Sequence, residues 1–394
     1  MATFVLFFVL TYSAMHALVY HHIRRLWTGH ALVASLIIGF MAVMILAPIG
    51  VRILETRGFP TLAQGLAYVG YVWMGLVFLS FCGFAVVSVA DLVLRLVCYL
   101  GPFRVPPLAG KATALVVLIA AALTSSYGAL EAWNIRVERI RLETPKLPAD
   151  VPRLTIAQIS DVHLGLLVRS ARLSRILDQV RAAAPDILVS TGDLVDGQLD
   201  DVEALAEQLQ DIQPRFGKYA ITGNHEFYAG LEKALGFTRR AGFTVLRDDA
   251  APNDGPIRVI GIDYRERGAG DGEDALLASV ARDRFVLLLK HVPVVRREIL
   301  GRFDLQLSGH THRGQIFPFC YVTRMFFPMQ AGFYSLDHGS HLYTSRGSGT
   351  WGPPMRVGSP PEVTIIELVR ADYDDPAKPV RSSESRLTIP LNKP

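Results

Sequence analysis

Two hydrophobic rhythms divide this chain. Up to about residue 130 the apolar positions run on almost without interruption. Beyond it they come in short bursts, each closed by Gly, Asp, Asn or His. Four long stretches, Ala2–Tyr20, Ala31–Ile49, Gln64–Ala90 and Ala112–Leu130, contain no Asp, Glu, Lys or Arg. A helix needs about 20 residues to cross the hydrocarbon of a bilayer, and each stretch roughly meets that length. Charged or Pro-containing segments, His21–Arg25, Arg52–Pro60 and Asp91–Lys111, divide the stretches, and Tyr20, Trp27, Tyr71 and Trp73 include interface anchors. The pattern predicts a transmembrane region over residues 1–132 with about four helices.

The first stretch reads as a retained helix and not a cleaved leader. It lacks a basic start and runs into His21-His22-Ile23-Arg24-Arg25, where a leader would show small residues. Only His16 offers an ionisable group at membrane depth, and it reads as a packed or interfacial histidine. Anchoring, with membrane lipids as neighbours, is therefore the expected role of these helices, not transport. Orientation rests on the basic residues between helices. Arg24 and Arg25 share a side with Arg95, Arg104 and Lys111, because two helices intervene. Placing that side inside leaves Arg52 and Arg57 outside and puts the second half of the chain outside the cytoplasm. Arg136, Arg139, Arg141 and Lys146 argue the reverse, so the balance leans only slightly to an extracytoplasmic domain.

After Glu131 the bursts read as strands. Ile135–Leu142 alternates loosely, and Pro145, Pro148 and Pro152 punctuate a connector. Leu154–Ile159, Asp186–Ser190, Lys218–Ile221, Phe285–Leu289 and Phe303–Leu307 follow, each an apolar run bounded by turn residues, as buried strands are. Helical periodicity covers Ser170–Ala183 and Asp201–Ile212, and further strands are expected at Ile257–Ile262, His341–Thr344 and Val363–Val369. Strands alternating with helices predict an α/β fold with two sheets flanked by helices over residues 133–370. Residues 371–394, rich in Pro, Ser and charge, read as a disordered tail.

Composition sharpens this division. Half of the residues are hydrophobic, an excess over ordinary soluble enzymes, and it sits before about Leu130. The net charge of +4, without any block of like charges, points away from a nucleic-acid partner. Cys82, Cys98 and Cys320 are too few and too scattered for a disulfide framework or a cysteine zinc site.

The chemistry lies where the strands end. Asp161-Val162-His163, Gly192-Asp193, Gly223-Asn224-His225-Glu226, His291 and Gly309-His310-Thr311-His312 each follow an apolar run. Ligand groups at the C-terminal ends of strands occupy the usual place for an α/β site. Imidazole and carboxylate donors without thiolate suit manganese, iron, zinc or cobalt, and so many nitrogens argue against calcium. Phosphate esters resist attack because the anion repels hydroxide. Two cations about 3.5–4 Å apart neutralise that charge, and a metal-held water is acidic enough to supply hydroxide near neutral pH.

The five blocks, in this order, resemble the calcineurin-like metallophosphoesterases, whose pattern is D-x-H, G-D, G-N-H-E, H, G-H-x-H. The resemblance covers roughly Leu154–Leu368. Ser345-Arg346-Gly347-Ser348-Gly349-Thr350-Trp351-Gly352-Pro353-Pro354 is similar to the membrane-anchored branch of YkuE and YaeI type, and the helical N-terminus is similar to transmembrane proteins with a metallophosphoesterase domain. The resemblance implies a four-layer αββα two-sheet sandwich. It implies one divalent metal on Asp161, His163, Asp193 and His312, and a second on Asp193, Asn224, His291 and His310. His225 becomes the catalytic histidine, and Glu226 either orients it or caps a helix. The activity implied is hydrolysis of a phosphate ester or pyrophosphate, with UDP-diacylglucosamine pyrophosphatases among the similar enzymes and a lipid-linked or envelope compound as substrate. The alternative is a non-catalytic metal-binding scaffold or sensor, which would be expected to lose ligands or the catalytic histidine.

Two features stay open in the sequence. The segment Arg324–Tyr334, with Met325, Phe326, Phe327, Met329, Phe333 and Tyr334, reads either as an apolar mouth for an acyl chain or bilayer, or as lid packing. Arg346 reads either as a phosphate partner or as a structural ion-pair arginine.

Overall fold

The computed structural model describes residues 2–102, 104–197, 203–252, 254–265 and 271–373. The expected disordered tail lies, beyond Tyr373, outside the described residues. The chain separates into two units, Met1–Glu131 with Gly352–Val357, and Ala132–Trp351 with Gly358 onward.

The first unit holds helices α1 (Ala2–Ile23), α2 (Ala31–Thr56), α3 (Pro60–Leu100) and α4 (Lys111–Trp133, which ends in the second unit). Among the described residues, these are four helices long and apolar enough to cross a membrane. Each outruns its uncharged stretch, and in α2 the charged residues at the end find a partner within the helix. Arg52 lies 3.6 Å from Glu55 one turn on, and α2 continues through both. Pro60 opens α3, where its missing N–H costs nothing. Asp91, buried in α3, accepts the N–H groups of Leu108 (2.5 Å) and Ala109 (3.2 Å) and so fixes the approach to α4. His16 is packed: its Nδ1 meets Tyr12 O at 2.8 Å, and its Nε2 accepts from Trp73 Nε1 at 2.9 Å. The detour Gly352–Val357 belongs to this unit as well. Arg356 N–H donates to Gly128 O at 2.9 Å, and the Met355 side chain fills the space that a Cβ on Gly75 would need.

The second unit contains two six-stranded sheets. The first has β1 (Arg136–Thr144), β2 (Arg153–Ile159), β3 (Ile187–Ser190), β4 (Lys218–Ala220), β5 (Thr244–Val245) and β12 (Glu362–Arg370), in the order β1-β12-β2-β3-β4-β5. The second has β6 (Asp249–Ala250), β7 (Arg258–Gly261), β8 (Val286–Leu289), β9 (Leu305–Ser308), β10 (Gly332–Ser335) and β11 (His341–Thr344), in the order β10-β11-β9-β8-β7-β6. Helices α5 (Ser170–Ala183), α6 (Glu203–Gln210), α7 (Asn224–Ala229), α8 (Leu231–Arg240), α9 (Asp271–Ser279) and α10 (Cys320–Phe326) connect them.

Side-chain alternation along the strands builds the layers. From β2, Leu154 and Ile156 join Ile187, Val189, Leu287, Leu289, Leu305 and Leu307 in the core between the sheets. Ala157 and Ile159 face the other way, against Leu173, Ile176 and Leu177 of α5. From β8, Val286 and Leu288 face outward to Leu277 of α9. Helix, sheet, sheet, helix is the four-layer order expected. The strands and α5 fall within a few residues of their sequence-based positions. The short strands β5, β6 and β10 and the helices α7 to α10 were not among those expected.

Candidate metal centre

Every expected ligand lies at the end of a central strand. β2, β3 and β4 run parallel to one another, as do β8 and β9, so their carboxyl ends emerge together within each sheet. Asp161 and His163 follow β2, Asp193 follows β3, Asn224 opens α7 after β4, His291 follows β8, and His310 and His312 follow β9. The loops also tie to each other: Asp161 N–H donates to Gly192 O (3.1 Å), and His163 N–H donates to Asp193 O (3.0 Å).

Two donor sets converge. In the first, His163 Nε2 lies 3.1 Å from His312 Nε2 and 3.9 Å from Asp193 Oδ2, and His312 Nε2 is 3.5 Å from Asp161 Oδ1. In the second, His310 Nδ1, His291 Nε2 and Asn224 Oδ1 form a triangle with edges of 3.1, 3.2 and 3.3 Å. Asp193 Oδ2 stands 3.3 Å from His291 Nε2, so this carboxylate borders both sets. All seven expected ligands are thus brought together, six of them buried and His310 half-buried.

The chemistry of this donor set fits divalent cations. Asp161 and Asp193 are buried, and among the described residues their ion pairs run to histidines only. Burial alone would push His291 down, yet the charges of Asp193 and Asp161 outweigh it and raise the ring to about 10. Burial and this protonated neighbour then drive His310 down to about 3. Such a cluster calls for positive charge at its centre but cannot place protons on adjacent rings. A metal ion satisfies both demands.

The backbone is shaped for the same end. Asp161, His163, Asp193, His310 and His312 all have φ between 47° and 71°, a left-handed conformation that non-glycine residues rarely adopt and that gathers at functional sites. Gly309 must lack a side chain, because a Cβ there would fall on Ser160 Oγ and Asp161 Oδ2. The absence of one lets His310 N–H reach Asp161 Oδ1 at 2.9 Å, while Ser160 Oγ donates to Oδ2 at 2.6 Å. His291 Nδ1 donates to Thr191 O at 2.8 Å, which fixes that proton and leaves Nε2 as the atom that would face a metal.

His225 stands beside these sets, its backbone N–H on Asp193 Oδ1 at 2.8 Å. Its Nδ1 lies 2.5 Å from Asp196 Oδ1, so Asp196 is the carboxylate that orients the ring. The sequence reading missed this residue. It sits three positions after Asp193 in Gly192-Asp193-Leu194-Val195-Asp196, and that spacing was the available signal. Glu226 does other work: it accepts from the N–H groups of Gly223 (2.7 Å), Asp193 (3.0 Å) and Leu194 (2.8 Å), pinning the Gly-Asp turn to the start of α7. Burial opposes charge on His225, but Asp193 and the bond to Asp196 outweigh it and raise the ring to about 9. Once Asp193 is committed to cations, Asp196 is the main support left for the protonated ring. Asp196→Asn is therefore expected to lower kcat about 10- to 100-fold and to move the alkaline limb of the pH profile downward, because His225 then loses its proton at lower pH. A limb that stays in place would remove this role from Asp196.

A family model described as calcineurin-like phosphoesterase matches residues 154–314. A protein of Aquifex aeolicus, named an uncharacterized metallophosphoesterase, is 40% identical over 255 residues, covering 63% of this chain and 97% of that protein. The chain belongs to the calcineurin-like metallophosphoesterases. By family it is a phosphoester hydrolase. The metallophosphoesterase YkuE of Bacillus subtilis is 30% identical over 272 residues, 64% of this chain and 93% of that one. The transmembrane protein with metallophosphoesterase domain of Danio rerio is 33% identical over 274 residues, 65% of this chain and 63% of that one.

The Ser345–Trp351 motif of this metallophosphoesterase braces the site from outside. Ser348 N–H donates to Ser160 O (2.7 Å) and Gly349 N–H to Asp161 O (3.0 Å). Arg346 pairs with Glu362 at 2.5 Å and with Glu138, which makes it a structural arginine. Trp351 and Tyr228 stand edge-on to His225, with centroids at 5.4 and 5.3 Å, and form an aromatic rim. Phe327 stands edge-on to His310 at 5.3 Å. The expected apolar loop is in fact divided: Met325 and Phe326 end α10, whereas Phe333 and Tyr334 lie in β10.

Proposed function

We propose that this chain is a membrane-anchored dinuclear phosphoesterase acting on a phosphate ester or pyrophosphate carried by a lipid-linked or envelope compound. The observation that carries the reading is the pair of donor sets bordering on one carboxylate, Asp193, with a protonated histidine beside it. Asp161, His163, Asp193 and His312 would hold one divalent cation, and Asp193, Asn224, His291 and His310 the other. When bound, such ions neutralise phosphate charge and make water a nucleophile near neutral pH.

The protein's own residues set the geometry of the reaction. Water forms the new bond to phosphorus as the bond to the leaving oxygen breaks. His225, with Nδ1 held by Asp196, gives the leaving oxygen a proton from Nε2 and regains one from the consumed water. Glu226 holds the backbone of the Gly192–Asp193 turn, and Gly309 leaves room for the Asp161 carboxylate. The four apolar helices and the transmembrane name of the Danio rerio relative support anchoring, and the pattern of basic residues favours an extracytoplasmic domain. A lipid-linked substrate, such as a diacylated nucleotide sugar, suits an enzyme confined to that surface.

The full chain, stripped with chelator and resupplied with manganese, iron, zinc or cobalt, is expected to hydrolyse an aryl phosphate or aryl phosphodiester only when metal is restored. Inactivity with every metal and both probes would favour a scaffold instead.

A further inference from the structure

Helix α10 is short, and its side chains are distributed in an unusual way. Thr323 is buried, while Tyr321, Met325 and Phe326 are 63%, 79% and 74% exposed. Large apolar side chains clustered this openly mark a surface that meets something apolar. The helix leads straight to the chemistry. The next residue, Phe327, lies edge-on to His310, and Thr311 Oγ1 donates to Gln330 O at 2.5 Å, so the segment after α10 is fastened to the ligand loop. Arg313 and Arg324 are exposed on the same stretch. Apolar tips flanked by guanidinium groups match an interface with acyl chains below and anionic phosphates above. The chain itself offers an apolar phase. It carries four helices able to cross a bilayer, and only Asn134 and Ile135 separate α4 from β1.

We infer that α10 is a bilayer-docking helix that inserts Tyr321, Met325 and Phe326 among lipid tails and sets the mouth of the metal centre at headgroup depth. The inference rests on the membrane-anchored phosphoesterase reading and adds how a phosphate on a lipid reaches the site without leaving the membrane. Docking uses side chains that hold no metal and touch no reacting atom.

The test places a nitroxide on Phe326→Cys in the full chain, with Cys82, Cys98 and Cys320 replaced by Ser, in nanodiscs of phosphatidylcholine and phosphatidylglycerol. A second label on Tyr321→Cys guards against misfolding at one position, and a label on Asp178→Cys, on the exposed face of α5, reports a watery site. The expected result is that the labels at 326 and 321 collide more often with oxygen than with a water-soluble nickel chelate, whereas the label at 178 shows the reverse. Nickel access at 326 and 321 equal to that at 178 overturns docking. Shielding from both reagents also overturns it, since a second copy or another protein then covers the helix. Aryl phosphate hydrolysis by the same samples checks the enzyme separately. Its absence counts against the phosphoesterase reading, while the collision data still decide whether α10 enters lipid.

Discussion

Asp193→Ala is expected to leave the protein inactive, with kcat reduced at least about 1,000-fold. The reason is its position. Its Oδ2 lies 3.3 Å from His291 and 3.9 Å from His163, one histidine from each donor set, and its Oδ1 accepts the backbone N–H of His225. One substitution therefore weakens both cation sites and loosens the catalytic histidine. Lewis-acid stabilisation of a phosphoryl transition state is worth several kcal/mol, and about 4 kcal/mol corresponds to the loss given. Metal analysis should show occupancy falling at both sites together. Retention of one full site with near-normal activity would show that Asp193 is not shared.

The second large effect belongs to His225→Ala. The backbone N–H that holds Asp193 survives this change, so metal content should stay at the level of the unaltered protein. What is lost is the proton donor, a contribution of about 10²- to 10⁴-fold. The loss should depend on the leaving group. An alkyl phosphate needs a proton as its bond breaks, whereas nitrophenolate leaves well without one. Activity on the alkyl ester should therefore fall much further than on the nitrophenyl ester. Equal losses on both would assign His225 to stabilising charge on the phosphoryl group, not to proton transfer.

Much of this arrangement was legible because of the parallel strands that carry it. β3 and β8 are buried on both faces, which writes them as apolar runs such as Leu287-Leu288-Leu289, while β2 and β9 are interrupted only by Thr155, Gln158 and Gln306. The polar residue that ends each run stands out for the same reason. The left-handed turns at Asp161 and Asp193 were not legible, since only the packed loops hold these residues there. Asp196 escaped notice because an aspartate near a turn is ordinary until His225, 29 positions later, folds against it. Of the two roles open to Glu226, orienting His225 or capping a helix, its bonds to four backbone N–H groups of two loops fall closer to the second. Helix α10 was hidden by composition. Its exposed face is apolar, so the amphipathic period that betrays a surface helix is missing from Cys320–Phe326.

The strand order of the first sheet sets when that sheet can be completed. β1 and β2 are successive in the chain, yet β12 lies between them, paired with β1 in parallel and with β2 in antiparallel register. The sheet that presents Asp161 is therefore completed only when Glu362–Arg370 has been made. By then the four apolar helices and every metal ligand have already been translated. Completion of the sheet is thus a late event that depends on the last described strand, and a nascent chain stalled before Glu362 would carry all of the ligands while β2 lacked the neighbour that ties it to β1.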